Sequence, residues 1–101
     1  MRRASKVDAN QREVVAALRG AGASVQLLHA VGEGCPDLLV GYKNLNLLLE
    51  VKDGSKPPSA QKLTPQQEVW HRDWRGQRVV VNSPEAALAA IDVIAIVGTI
   101  G

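Results

Sequence analysis

Residues 34–52 read Gly34-Cys35-Pro36-Asp37-Leu38-Leu39-Val40-Gly41-Tyr42-Lys43-Asn44-Leu45-Asn46-Leu47-Leu48-Leu49-Glu50-Val51-Lys52, two short apolar runs either side of a polar break. Each run is rich in Leu and Val, too short for a helix, and bounded by Gly, Pro or Asn, so the stretch predicts a β-hairpin. The break at Tyr42-Lys43-Asn44-Leu45 puts Lys43 and Asn44 at the centre of a two-residue turn. With that turn Asp37 faces Glu50, and directly opposite residues have Cβ atoms ~4.5–5.5 Å apart. Alternation along the strand carries Lys52 to the face of Glu50 and turns Val51 away. Two carboxylates and an amine therefore meet at one end of the hairpin. Opposed like charges destabilise, so something positive is expected between them; Lys52 could supply part of that charge and a divalent cation the rest. A register slip of one residue would send the two acids to opposite faces.

Pro36-Asp37 followed by Glu50-Val51-Lys52 resembles the PD-(D/E)xK nuclease signature. The wording Gly34-x-Pro36-Asp37-Leu38, with Glu-Val-Lys thirteen residues after the Asp, is most similar to the small stand-alone VRR-NUC nucleases of phage and bacterial type. Leu63-Thr64-Pro65-x-Gln67 adds to the likeness, which spans roughly Gln11 to Ala90. The resemblance implies an α/β fold, a three-layer α/β/α restriction-endonuclease-like core (α-β-β-β-α-β) around a central mixed sheet. It implies a divalent-metal-dependent DNA endonuclease using Mg²⁺ or Mn²⁺, a choice that hard oxygen ligands also favour over zinc. Asp37 and Glu50 would hold the metal with the backbone carbonyl of Val51, and Lys52 would act at the reacting phosphate. The family also carries a glutamate early in the first helix, for which Glu13 is the candidate, and a glutamine that orders the site, at Gln67. Compact stand-alone relatives further imply a homodimer that selects branched or four-way-junction DNA.

The composition is compatible with this. A chain of 101 residues is one domain with a single modest core, built from Leu, Val, Ile and Ala because Phe is absent and Trp occurs twice. Net charge of +2 permits a polyanionic partner without demanding one. One cysteine excludes an internal disulfide, and one Cys with two His is a poor set for structural zinc. The basic start lacks an apolar stretch behind it and no segment is long enough to cross a membrane. A soluble cytoplasmic protein without organic cofactor is expected, with residues 1–9 a basic arm and 10–101 the domain.

Along the chain, Asn10 to Ala21 has helical spacing, with Asn10 and Glu13 matching a capping box that competes for the Glu13 carboxylate. Ser24 to His29 reads as a strand, and Gly32-Glu33-Gly34 as a glycine-flanked loop into the hairpin. Residues 53–63, with Gly54 and Pro57-Pro58, read as a polar loop whose Lys56 and Lys62 suit phosphate contacts. Thr64, Pro65 and Gln67 spell a helix start with a T-x-x-Q capping box. Trp70 and Trp74 share a face of that helix and are expected in the core, with base stacking the lesser alternative. Gln77 to Asn82 reads as a strand parallel to the second hairpin strand, and Ser83-Pro84 opens a last helix ending in the apolar run Ile91 to Val97. That run either tucks onto the core or serves as a partner surface. The competing reading of the whole chain is a non-catalytic nucleic-acid- or protein-binding module on the same fold.

Overall fold

Lys43 and Asn44 both take the left-handed conformation, with φ of 52° and 68°, the geometry of a type I′ hairpin turn. In this computed structural model, which describes residues 9–100, they join β2 (Leu38–Tyr42) to β3 (Leu45–Val51). Leu38 lies opposite Leu49 and Tyr42 opposite Leu45, the register expected from the turn. β1 (Ser24–Leu27) pairs antiparallel with β2, and β4 (Arg78–Val81) pairs parallel with β3, giving a mixed four-stranded sheet in the order β1-β2-β3-β4. The remaining elements are α1 (Ala9–Gly20), a short 3₁₀ turn at Pro58–Gln61, α2 (Pro65–Asp73) and α3 (Pro84–Ile100).

Alternation decides which residues meet. Leu38, Val40, Leu47, Leu49, Val51 and Val81 point to one face and are buried against Val14 and Leu18 of α1 and Ala87, Ile91 and Ile94 of α3. Fully burying a Leu or Ile contributes ~1.5–3 kcal/mol, so this single layer of aliphatic contacts is the main stabilising element. Leu39, Glu50 and Val80 point to the other face. Here α2 lies across one end only, which leaves Leu39 and Val80 partly open to solvent. The continuous Leu runs therefore do mark a sheet with helices on both sides, although the second layer is one short helix.

Several local expectations need correction. Asn10 is not the cap of the first helix, because α1 already includes Ala9; its side chain donates instead to the Lys52 carbonyl at 2.6 Å. The first strand stops at Leu27, while Leu28 still donates its N–H to the Asp37 carbonyl at 2.7 Å. The tryptophans are not core. α2 buries only His71, whereas Trp74 is 46% exposed and stacks on the half-buried Trp70. A nine-residue helix crossing the polar end of a sheet has no apolar layer to sink them into. The basic arm falls outside the described residues apart from Ala9.

The 53–63 segment is more fixed than a linker. Asp53 accepts from the Ser55 N–H and hydroxyl, Gln61 donates to the Lys56 carbonyl at 2.6 Å, and Asn82 donates to Gln61 at 2.9 Å. A Cβ on Gly54 would lie 2.5 Å from the Asn82 carbonyl oxygen, so the chain passes β4 at a distance only glycine allows. The apolar C-terminal run is tucked onto the core along one side. Ile91 and Ile94 are buried, while Val93, Ile96 and Val97 are more than half exposed.

Candidate active site

The site forms where β2 begins and β3 ends. Asp37 stands one residue before β2, held by its own carbonyl to Leu28 and by its carboxylate, whose Oδ2 accepts the Val51 N–H at 2.8 Å. The next peptide along, Lys52 N–H, turns the other way to the Val81 carbonyl at 2.8 Å. Because N–H and C=O of one strand residue leave on the same side, the Val51 carbonyl emerges on the Asp37 side.

Glu50 points from β3 under α2 and is 3% exposed. Its Oε2 accepts from Gln67 Nε2 at 3.1 Å and lies 3.7 Å from Lys52 Nζ. Its Oε1 is buried without a hydrogen-bond partner among the described residues. Burial first, then the charge of Asp37 and a carboxyl–carboxyl hydrogen bond to it, push the Glu50 carboxyl up to about 8, against the opposing pull of Lys52. Burial raises a carboxyl because the charged form loses water, and a neighbouring carboxylate raises it again by repulsion. The convergence of two acids and one amine is therefore real, and the amine alone does not balance the acids.

Gln67 serves the helix and the site together. Thr64 Oγ1 accepts the Gln67 N–H, and Gln67 Oε1 accepts the Thr64 N–H at 2.9 Å, completing the capping box. The same Oε1 accepts Lys52 Nζ at 2.8 Å while the amide nitrogen donates to Glu50. Two donors on the oxygen and one acceptor on the nitrogen fix the amide orientation. The start of α2 thus holds Glu50 and Lys52 at set positions. Its far end is tied down by Arg78, whose Nε donates to the His71 carbonyl at 2.7 Å.

Of the other candidates, Glu13 is exposed and lines a separate polar cleft with Asn10, Asp53, Ser55 and Ser83. Among the described residues no group of three or more His, Cys, Asp and Glu side chains is arranged to hold a metal. Lys56 and Lys62 are both exposed, on either side of the 3₁₀ turn. Cys35 is half-buried, its thiol pushed up by burial and by the Glu50 and Asp37 carboxyls, which suits a packed residue and not a nucleophile. His29 is exposed, in the turn after β1. His71 is buried under α2 with its imidazole pulled down by burial and by nearby Arg78 and Lys52, a structural position. Asn10 and Arg78 are contributors that sequence reading missed. Asn10 looked like a cap, and nothing in the sequence paired Arg78 with a helix terminus.

No family model matches the chain, and no curated protein matches it. A solved structure described as a "VRR_NUC domain" matches with a TM-score of 0.61 and 26% identity, over 81% of this chain and 89% of that one. The matched share is large on both sides, and it agrees with the mixed four-stranded sheet and its three helices. The chain has the VRR-NUC fold.

Proposed function

We propose that this chain is a divalent-metal-dependent nuclease that hydrolyses phosphodiester bonds of DNA at Asp37, Glu50 and Lys52. The fold matches a domain whose name denotes a nuclease family. The observation that carries the reading for this chain is the buried Glu50 carboxyl, whose Oε1 accepts from no donor among the described residues and has Asp37 beside it. Such a pair is short of positive charge, and a cation between them removes the deficit. Two carboxylates and a carbonyl, from Asp37, Glu50 and Val51, fit Mg²⁺ or Mn²⁺, ions that keep several waters and take the rest of their shell from substrate phosphate. Bound there, the ion supplies Lewis acidity and lowers the pKa of water.

The chain's own groups do the rest. Asp37 and Glu50 would hold the ion, their carboxylates oriented by the Val51 N–H and by Gln67. Lys52, aimed by Gln67, stabilises charge developing on the phosphate or holds the attacking water. Glu13, set apart in its own cleft, is left a contact through water at most. Lys56 and Lys62 suit phosphates flanking the cut.

Metal and proton compete for Glu50, which gives a test. Between pH about 4.5 and about 8 the unfolded chain releases the Glu50 proton while the folded chain keeps it, so this group lowers stability progressively across that window. Melting temperatures of the metal-free protein should fall relative to Glu50→Gln as pH rises through it. Stabilisation by Mn²⁺ should grow over the same range. A Mn²⁺ shift equal in the native protein and Glu50→Gln would remove the ion from this site.

The substrate and assembly belong to the same proposal. β4 is a sheet edge, and between it and α3 runs an apolar groove of about 380 Å³ beside exposed Val93 and Val97. A homodimer formed there would carry two sites on one assembly, suited to paired cuts in branched or four-way-junction DNA. Light scattering should give twice the chain mass, and junctions should be cut at least about tenfold faster than linear duplex, a margin of only ~1.4 kcal/mol. A monomer cutting both equally would overturn the assembly and the preference together.

A further inference from the structure

We propose that Trp70 and Trp74 form a stacking shelf for an unpaired nucleobase of the DNA next to the cut. This rests on the nuclease reading above and names the form of DNA the site takes. The chain has two tryptophans and both are on this shelf. Their rings are nearly parallel, 14° apart with centroids 4.7 Å apart, and Trp70 meets the buried His71 edge-on. The rings thus run outward from the buried His71 through Trp70 to Trp74, which is 46% exposed. Leaving a large aromatic surface in water forgoes burial free energy, and its flat face is suited to another ring.

Place and charge select the occupant. Gln67, Trp70 and Trp74 share one face of α2, so the shelf lies on the helix that orders Glu50 and Lys52. At 1.5 Å per residue, Trp74 is about 10 Å along the axis from Gln67, a reach of about three stacked nucleotides. A groove of about 390 Å³ runs along the rings, lined also by Glu33, Gln66, Val69 and Asp73. Asp73 is already paired with Arg72 at 2.9 Å, and the remaining carboxylate, Glu33, disfavours a phosphate backbone in this groove and can accept the amino groups of base edges. Glu33 is held there by three successive left-handed residues, Gly32, Glu33 and Gly34, with φ of 75°, 58° and 83°. A Cβ on Gly34 would lie 2.6 Å from the Gln66 carbonyl oxygen, so this loop is seated directly against α2. A non-glycine residue in that conformation costs free energy and persists only where its surroundings hold it. Bases in plain duplex have their faces covered by neighbours, so the shelf selects strands with unpaired bases near the cleaved bond.

Both tryptophans being on the shelf, emission excited at 295 nm reports on it alone. The probes are a blunt duplex, the same duplex with a three-nucleotide 3′ overhang, and that overhang made abasic, each bound to full-length Glu50→Gln protein so that no cutting intervenes. The base-bearing overhang should quench the emission and the other two should not. Trp74→Ala should weaken binding of the base-bearing overhang about tenfold, while Trp74→Phe keeps most of it. Blunt duplex should bind both variants as it binds the parent. Equal quenching by abasic and base-bearing overhangs, or equal loss on all three DNAs, would overturn the shelf. So would a Trp74→Ala protein that changes in mass by light scattering without losing discrimination, since the rings would then be a protein contact. Cleavage by the native protein with Mn²⁺ separates the two readings. Cutting without base-dependent quenching removes the shelf alone, and quenching without cutting removes the nuclease reading.

Discussion

Glu50→Gln is expected to lower DNA cleavage by about a thousandfold, measured in single turnover at saturating DNA and Mn²⁺. The substitution keeps volume and can still bond to Gln67, but it removes the negative charge of the more buried of the two carboxylates. A metal's stabilisation of developing charge amounts to several kcal/mol, and each 1.36 kcal/mol is about tenfold in rate, so loss of its anchor reaches about three decades. The fold should survive, because in the metal-free protein the glutamine removes the cost of holding Glu50 protonated beside Asp37. An inactive variant that melts no lower than the native protein would therefore be the expected pair of results. Normal turnover by this variant would take Glu50 out of the chemistry.

Lys52→Ala should show the second largest effect, a drop of about 10²–10³ in the single-turnover rate with little change in DNA affinity. Its ammonium is bonded to Gln67 and lies 3.7 Å from Glu50, inside the site and not on the general surface. A group so placed acts on charge that develops during reaction, a contribution absent from ground-state binding. Lys56→Ala is the contrast. On an exposed loop it should weaken binding to all DNAs alike and flatten the salt dependence by about one unit of slope. Should Lys52→Ala lose affinity alone, with its rate at saturation preserved, the lysine would be a phosphate anchor.

The parts of this site that could be read in the sequence were those governed by local rules. Lys43 and Asn44 set the hairpin register because a two-residue turn permits one pairing, and that pairing brought Asp37, Glu50 and Lys52 together. Thr64-Pro65-x-Gln67 announced a helix start for the same kind of reason. What the sequence hid depended on distant neighbours. Asn10 could cap a helix or reach across to Lys52, and only the packing of α1 beside the end of β3 decides for the second. Gln67 was expected at the site from the resemblance, but not that one amide would complete its cap and serve Glu50 and Lys52 as well. Trp70 and Trp74 were misplaced because helical spacing shows that residues share a face but not what that face meets. Of α2 only His71 is buried, and the two rings stack on each other at the surface.

The central claim is that Asp37, Glu50 and Lys52 make a metal-dependent phosphodiesterase. Its most direct test is a time course of the purified native protein with end-labelled branched and linear DNA, in Mn²⁺ and in EDTA. Cleavage that requires Mn²⁺ and disappears in Glu50→Gln is the predicted result; no cleavage of any DNA form with Mn²⁺, by protein that is folded and binds DNA, would contradict it.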